Sequence, residues 1–277
     1  MIWHDDSHYY REPQSYQERL YLPPKPPILR LYKYTRLCYN YIKGVVVMDF
    51  VYICRSGDNE ELRYSIRSVI HSFPDAKVWL VGGKPDWYSG NHIEINQNHH
   101  KYANAINNIN AICDSEGISN EFVLMNDDFF IIKKIDKIDN FYNGLLSEKI
   151  DRYTKITGSS MYIKKLIMTK TRLVDQGIES PLDYELHVPM IMQKNKLKVI
   201  ISKYPSCLWR SMYGNIYSVG GSQMEDVKFY VNQKHAARSK EITEESTFLS
   251  TEDQSFGLAL SRVLIKLFPE PSNYESN

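Results

Sequence analysis

The sequence predicts an α/β fold of Rossmann-like type, a mainly parallel sheet flanked by helices. Three observations carry this expectation. Apolar runs of strand length recur at residues 45–54, 77–81 and 121–125, and such runs read as buried strands. The stretches between them carry apolar residues at helical spacing. Short strands that alternate with helices imply parallel pairing through crossover connections.

Taken in order, residues 1–27 are polar and tyrosine-bearing and end in Pro23-Pro24-Lys25-Pro26-Pro27, a stiff extended spacer. Residues 28–43 carry Arg30, Lys33, Arg36 and Lys43 with no acid, and Tyr32, Tyr34, Tyr39 and Tyr41 are interleaved. That pattern suits either a solvated face or a grip on phosphates and bases. Together, residues 1–43 are expected to form an N-terminal arm. After the run 45–54 comes a turn at 55–59. Leu62, Ile66, Val69, Ile70 and Phe73 then mark one face of a helix. The strand 77–81 is stopped by Gly82-Gly83-Lys84-Pro85, and Ile93-Glu94-Ile95 forms a short further strand. Tyr102, Ile106, Ile109 and Cys113 again have helical spacing, and the strand 121–125 runs into Asn126-Asp127-Asp128, with 129–132 continuing it.

The second half is less regular. The spacing predicts a helix over 189–204, a Gly/Ser/Tyr-rich loop over 211–222 and a polar, mobile loop over 234–245. A closing helix is expected over 255–268, through Phe256, Leu260, Val263, Leu264 and Leu267. One domain over 44–268 with a helical C-terminal portion is expected. The polar tail 269–277 is expected to fray.

Composition bounds the function. The chain has 277 residues, 43% hydrophobic and 24% charged, enough to bury a core. The charge of 34 − 33 = +1 supplies no global field for nucleic acid or an anionic membrane. Cys38, Cys54, Cys113 and Cys207 form no CxxC pair, so a zinc ribbon or disulfide framework is not expected and a reducing, cytoplasmic setting fits. The N-terminus has no basic or apolar leader region, and the longest apolar stretch, 44–54, is broken by Asp49 and too short to span a bilayer. A soluble chain is expected. The phosphate-loop, dinucleotide, nucleophile-elbow and HExxH motifs are all missing from the sequence, which argues against kinase, nicotinamide, serine-hydrolase and zincin chemistry.

In a parallel sheet ligands sit beyond the carboxyl ends of the strands. That rule places 55–59, 82–84 and 126–128 along one rim. Asp127 and Asp128 are adjacent carboxylates at a strand end, and like charges there repel. A divalent cation, Mg²⁺ or Mn²⁺, relieves the repulsion and bridges to a diphosphate; a solvated Asn/Asp turn is the other reading. Asp128 is the expected main ligand, with Asp127 sharing the ion or oriented beside it. Arg55 lies at a strand's end, where a guanidinium matches phosphate oxygens. Arg63 and Arg67 share a helix face and serve either phosphate or the nearby Asp58, Glu60 and Glu61. His187 follows Asp183, Tyr184 and Glu185, and is a candidate metal ligand or general base as well as a candidate structural histidine. His99 and His100 are adjacent, so at most one is expected near the site. Asp253 closes Ser250-Thr-Glu-Asp253, which reads either as a helix cap or as an active-site carboxylate. Asp226 is a weaker candidate.

The stretch Asn59-Glu-Glu-Leu-Arg-Tyr-Ser-Ile-Arg-Ser68, followed by Ser119-Asn-Glu-Phe-Val-Leu-Met-Asn-Asp-Asp-Phe-Phe130, resembles the central block of the Stealth family of sugar-phosphate transferases. Ala103-Asn104-Ala105-Ile106 is similar in placement. His187-Val-Pro189 resembles that family's H-x-P element, Arg210 falls where the family has an arginine, and Thr251-Glu-Asp253 resembles its last acidic element. The family's opening tryptophan strand is replaced here by Val51-Tyr-Ile-Cys-Arg-Ser-Gly57. The resemblance implies a sheet similar to that of GT-A glycosyltransferases. Taken with the rim, it gives an expected donor site of Arg55, Asn59, Arg63, Asn104 and Asn126, a metal at Asp127 and Asp128, and catalytic roles for His187, Arg210 and Asp253, with Arg55 resting on its strand-end place alone. The expected function is a metal-dependent glycosyltransferase that moves a sugar from a nucleotide-sugar donor onto an acceptor hydroxyl of a glycan, a protein or a modified nucleic acid. Transfer of a sugar 1-phosphate is the alternative that the resemblance implies. A non-catalytic nucleic-acid-binding module using the 30–43 run is a further alternative.

Overall fold

The computed structural model describes residues 41–42, 45–230 and 245–276. Most of the expected arm and the polar stretch 234–244 lie outside the described residues. Two short strands, β1 (Tyr41–Ile42) and β2 (Val45–Val46), pair antiparallel. The core then begins with β3 (Asp49–Cys54), α1 (Glu60–Ser72), β4 (Lys77–Gly82), β5 (Asn91–Glu94), α2 (Lys101–Asp114) and β6 (Glu121–Asn126). β3, β4, β5 and β6 are parallel, in the spatial order β5-β4-β3-β6. This is the expected mixed α/β architecture with a mainly parallel sheet.

Alternation across the strands explains why helices cover both faces. Phe50, Tyr52, Val78, Leu80, Val123 and Met125 point to one side, where α1 buries Leu62, Ile66 and Val69. Val51, Val81, Phe122 and Leu124 point to the other, where α2 buries Ile109 and Ile112. Asp49, the charge that interrupts the first apolar run, is buried and satisfied. Its Oδ2 accepts from the Ser119 amide at 2.6 Å and its Oδ1 from the Trp79 indole at 3.3 Å.

The strand expected to continue through 129–132 instead leaves the sheet. The chain turns at Asp127 and Asp128, and β7 (Phe129–Ile131) pairs antiparallel with β11 (Phe248–Ser250). Two serines of α1 hold it there. Ser68 Oγ accepts from the Ile131 amide at 3.0 Å, and Ser65 Oγ donates to the Phe129 carbonyl.

The second half corrects two further expectations. The stretch 189–204 is not one helix: β9 (Met190–Gln193) precedes α5 (Lys194–Lys203). β9 adds an antiparallel edge to β6, with Leu124 opposite Met190. A short apolar run does not reveal its period, and an open sheet edge captured it. The supposed loop 211–222 contains much of α6 (Trp209–Ile216), which buries Met212 and Tyr213. Its Gly214 is a packing residue, because a Cβ there would strike the Tyr184 ring. Between the halves, β8 (Phe141–Tyr142) pairs with β10 (Ser222–Gln223), and α3 (Leu146–Thr157) and α4 (Met161–Asp175) follow β8.

The closing helix forms in pieces: Asp253–Ser255, a π-helical turn Phe256–Leu260, and Ser261–Leu267. The tail after it is not frayed. Tyr274 stacks on Tyr88, and its hydroxyl accepts from the Val78 amide at 3.0 Å and donates to the Ala76 carbonyl at 2.8 Å. Glu275 forms ion pairs with Arg63 at 2.9 Å and Arg67 at 2.7 Å. A polar tail docks when its few charges meet fixed partners.

Candidate active site

The strand order turns about β3: α1 leads to β4 on one side, and α2 leads to β6 on the other. The carboxyl ends of β3 and β6 therefore flank a crevice, the place where open α/β sheets hold ligands. A cleft of about 740 Å³ opens there. Its walls come from Ile53, Cys54 and Arg55 after β3, Lys101, Asn104, Ala105 and Asn108 on α2, the turn Asn126, Asp127 and Asp128, and Thr251, Glu252 and Gln254 after β11. Glu61, Gln97 and Lys228 complete the lining. The rim strands run close together. Gly82 has φ of 112°, and a Cβ there would meet the Cys54 carbonyl, so this position requires glycine.

Asp127 is the first carboxylate of the turn. Its Oδ2 accepts from Asn59 Nδ2 at 2.6 Å and lies 4.0 Å from Arg55 Nε. Burial pushes its pKa up, and the charge of Asp128 pushes the same way. Asn59 also caps α1, its Oδ1 accepting from the Leu62 amide at 3.0 Å. The Asn59 side chain thus joins the start of α1 to the acidic turn. Asp128 Oδ2 accepts from Lys228 Nζ at 2.8 Å and from Ser250 Oγ at 3.0 Å. Glu61 Oε1 accepts from Thr251 Oγ1 at 2.9 Å.

Asn104 lines the cleft but is committed locally. Its Nδ2 donates to the Gln97 and His99 carbonyls at 3.0 and 2.7 Å, and its Oδ1 accepts from the His99 amide at 3.0 Å. It shapes the turn before α2. His100 caps that helix through Nδ1, accepting from the Ala103 amide at 3.4 Å, and His99 is exposed.

A second polar cluster gathers around Phe129, the residue after Asp128. The His187 ring meets Phe129 edge-on at 6.1 Å, and the Arg210 guanidinium lies over the same ring at 5.8 Å. His187 Nδ1 contacts Asp226 Oδ2 at 2.8 Å, and the His187 amide donates to Asp226 Oδ1 at 3.2 Å. Burial acts against the Asp226 carboxylate, but its contacts with His187 prevail and hold its pKa down at about 2. The pair fixes the imidazole with Nε2 directed away from the carboxylate. Arg210 is buried and donates to the Tyr184 and Val188 carbonyls at 3.2 and 2.7 Å. Burial lowers its pKa against the fields of Glu185, Asp226, Asp183 and Asp128. Glu185, whose pKa burial raises, accepts from the Ser211 amide and hydroxyl at 2.8 and 3.0 Å.

The fold thus brings Arg55, Asn104, Asn126, Asp127 and Asp128 to one cleft, with Asn59 at its base. It sets His187 and Arg210 beside Phe129 rather than on the cleft wall. Asp253 stands between the lining residues Glu252 and Gln254 and opens the first piece of the closing helix. Arg63 corrects the donor-side expectation. Its guanidinium lies over the Trp87 ring and is held by Glu60 at 3.1 Å and Glu275 at 2.9 Å, outside the cleft. A helix-surface arginine three residues from an acid takes that acid as partner. Lys228, Glu61 and Lys101 were missed from sequence. Lys101 and Lys228 are single charges in polar stretches, Glu61 reads as an ordinary first-turn acid of α1, and only the fold assembles the three.

Among the described residues no group of three or more His, Cys, Asp or Glu side chains is placed to cage a metal ion. Two adjacent carboxylates still suit a cation that completes its shell with substrate phosphates and water. No family model matches the chain, and no curated protein matches it. One solved structure that it resembles is that of the galactosyltransferase LgtC in complex with donor and acceptor sugar analogues. The likeness has a TM-score of 0.43 at 8% identity and covers 82% of this chain and 97% of that one. No helix among the described residues is long and apolar enough to cross a membrane.

Proposed function

We propose that the protein is a glycosyltransferase that takes a nucleotide-activated sugar in the cleft and transfers the sugar to an acceptor hydroxyl. One observation carries the reading: the paired carboxylates of Asp127 and Asp128 line the crevice between β3 and β6, where both are largely shielded from solvent and desolvation pushes the pKa of Asp127 up. A site with surplus negative charge at that place suits a ligand that arrives with a cation. The lining acids Glu61, Asp127, Asp128 and Glu252 outnumber the bases Arg55, Lys101 and Lys228.

Asp127 and Asp128 would hold Mg²⁺ or Mn²⁺, which supplies positive charge against a departing diphosphate. Arg55 and Lys101 offer further positive charge in the same cleft. Asn59 keeps Asp127 aimed by donating to one oxygen. His187, oriented by Asp226, is the base for the acceptor hydroxyl, and Phe129 spaces it from the acidic turn.

Transfer of a sugar 1-phosphate is the second reading, and one observation favours it. The two stretches that resemble the Stealth block meet in space. Asn59, Ser65 and Ser68 of the first bind Asp127, Phe129 and Ile131, within and just after the second. The products separate the two readings. Incubation with a panel of nucleotide sugars and Mn²⁺ or Mg²⁺, followed by mass analysis, should show nucleoside diphosphate for glycosyl transfer and nucleoside monophosphate for sugar-phosphate transfer. Release of neither from any donor ends both.

A further inference from the structure

Asp128, the second carboxylate of the acidic pair, already has a cation. Lys228 Nζ lies 2.8 Å from its Oδ2, with the two side chains 17% and 14% exposed. The same oxygen also accepts from Ser250 Oγ. This lysine is not a wandering surface charge, because its backbone is fixed beside β11. Lys228 forms a parallel bridge with Ser250, the Phe229 amide donates to the Ser250 carbonyl at 2.8 Å, and the Ser250 amide donates to the Val227 carbonyl at 3.2 Å. Its ammonium therefore reaches the cleft from an anchored base, on a flexible stem.

We propose that Lys228 is the resident counter-cation of Asp128, occupying the carboxylate that a divalent ion needs and yielding it when a diphosphate enters. The inference rests on the glycosyltransferase reading of the same cleft. With Lys228 in place, Asp128 is neutralised and the drive to bind a metal is reduced. A diphosphate between the walls attracts the ammonium. Once Lys228 turns to it, Asp127 and Asp128 repel each other again, and a divalent cation relieves that repulsion. Metal and diphosphate then enter together, and Lys228 stays as a positive charge on the leaving group. Such a coupling between two ligands is reciprocal.

The test is Mn²⁺ alone, titrated into the full-length protein and followed by the loss of the free-ion paramagnetic resonance signal. Lys228→Met removes the charge at similar length, and Lys228→Gln is a second uncharged variant; circular dichroism verifies that each is folded. Both should bind Mn²⁺ about tenfold or more tightly than wild type, within the range of ordinary site coupling. Lys228→Arg, which keeps the charge, should behave as wild type. Adding Asp128→Asn to Lys228→Met should remove the gain. Equal Mn²⁺ affinity in wild type and both uncharged variants overturns the proposal, as does a gain that survives Asp128→Asn. If no protein of the set binds Mn²⁺, the proposal also falls. The transferase reading is then decided separately, by donor turnover without metal.

Discussion

In the proposed transfer, Asp128 supplies charge and His187 takes the proton. Asp128→Asn keeps the hydrogen bonds to Lys228 and Ser250 possible on one oxygen but removes the negative charge offered to a cation. Turnover should fall by about a hundredfold or more, the scale of losing a principal electrostatic contact, with the melting temperature nearly unchanged. His187 sits 30% exposed and makes its ring contact with Asp226 through Nδ1. His187→Ala should lower turnover by about 10²–10⁴-fold, as expected for a general base, while donor affinity holds. Asp226→Asn should lower turnover in the same direction, because the carboxylate that orients the ring is gone. If both variants lose thermal stability and keep their rate per folded molecule, the pair is structural.

At the scale of the element, α1 explains why Asn59, Ser65 and Ser68 stand where they do. Asn59 caps the helix and reaches Asp127, and the two serines seat β7 against the helix by binding its backbone. Capping and acid orientation can be separated by substitution. Asn59→Ala loses both and should cost about 1 kcal/mol of stability, the usual cost of a lost cap, together with activity. Asn59→Asp still caps but sets a carboxylate against Asp127. It should keep most of the stability, bind divalent metal differently and lose turnover through the misplaced charge. Denaturant unfolding beside donor turnover distinguishes the two. α1 and α2 were legible as helices because each lays a regular apolar stripe on the sheet. β9 was not, because Met190, Ile191 and Met192 form a run too short to show a period.

For the whole molecule, the tail after the closing helix acts as a strap. Glu275 receives Arg63 and Arg67, and these contacts hold its pKa at about 2 against the opposing effect of burial. A carboxylate with a depressed folded-state pKa contributes stability above its ordinary value, 4.5 for Glu275, and loses it as pH falls towards 2. Asp226 acts in the same sense. Asp127 and Glu185, raised by burial, act in the opposite sense, since protonation relieves them. Glu275→Gln should therefore lower stability at pH 7 by about 2 kcal/mol, the range for a charged hydrogen bond. It should also flatten the loss of stability between pH 4.5 and 2. Thermal melts of the two proteins across that interval check the sign.

By itself, the sequence determined the α/β class, the strands at the heart of the sheet, the helices α1 and α2, and the rim on which Arg55 and the Asn126-Asp127-Asp128 turn stand. These are local matters: a period of two or of 3.6 is written in neighbouring residues, and parallel topology then puts strand ends on one edge. Tertiary structure alone decided the partners of the charges. The sequence offers Arg63 its helix neighbour Glu60, which it keeps, and only the docked tail adds Glu275. Lys228 carries no signal in its own stretch, yet it meets Asp128 a hundred residues away because β11 pairs with β7. The same pairing turns residues 129–131 out of the sheet. A charge's partner depends on which chain segments the fold brings within a few ångströms, and no local pattern encodes that.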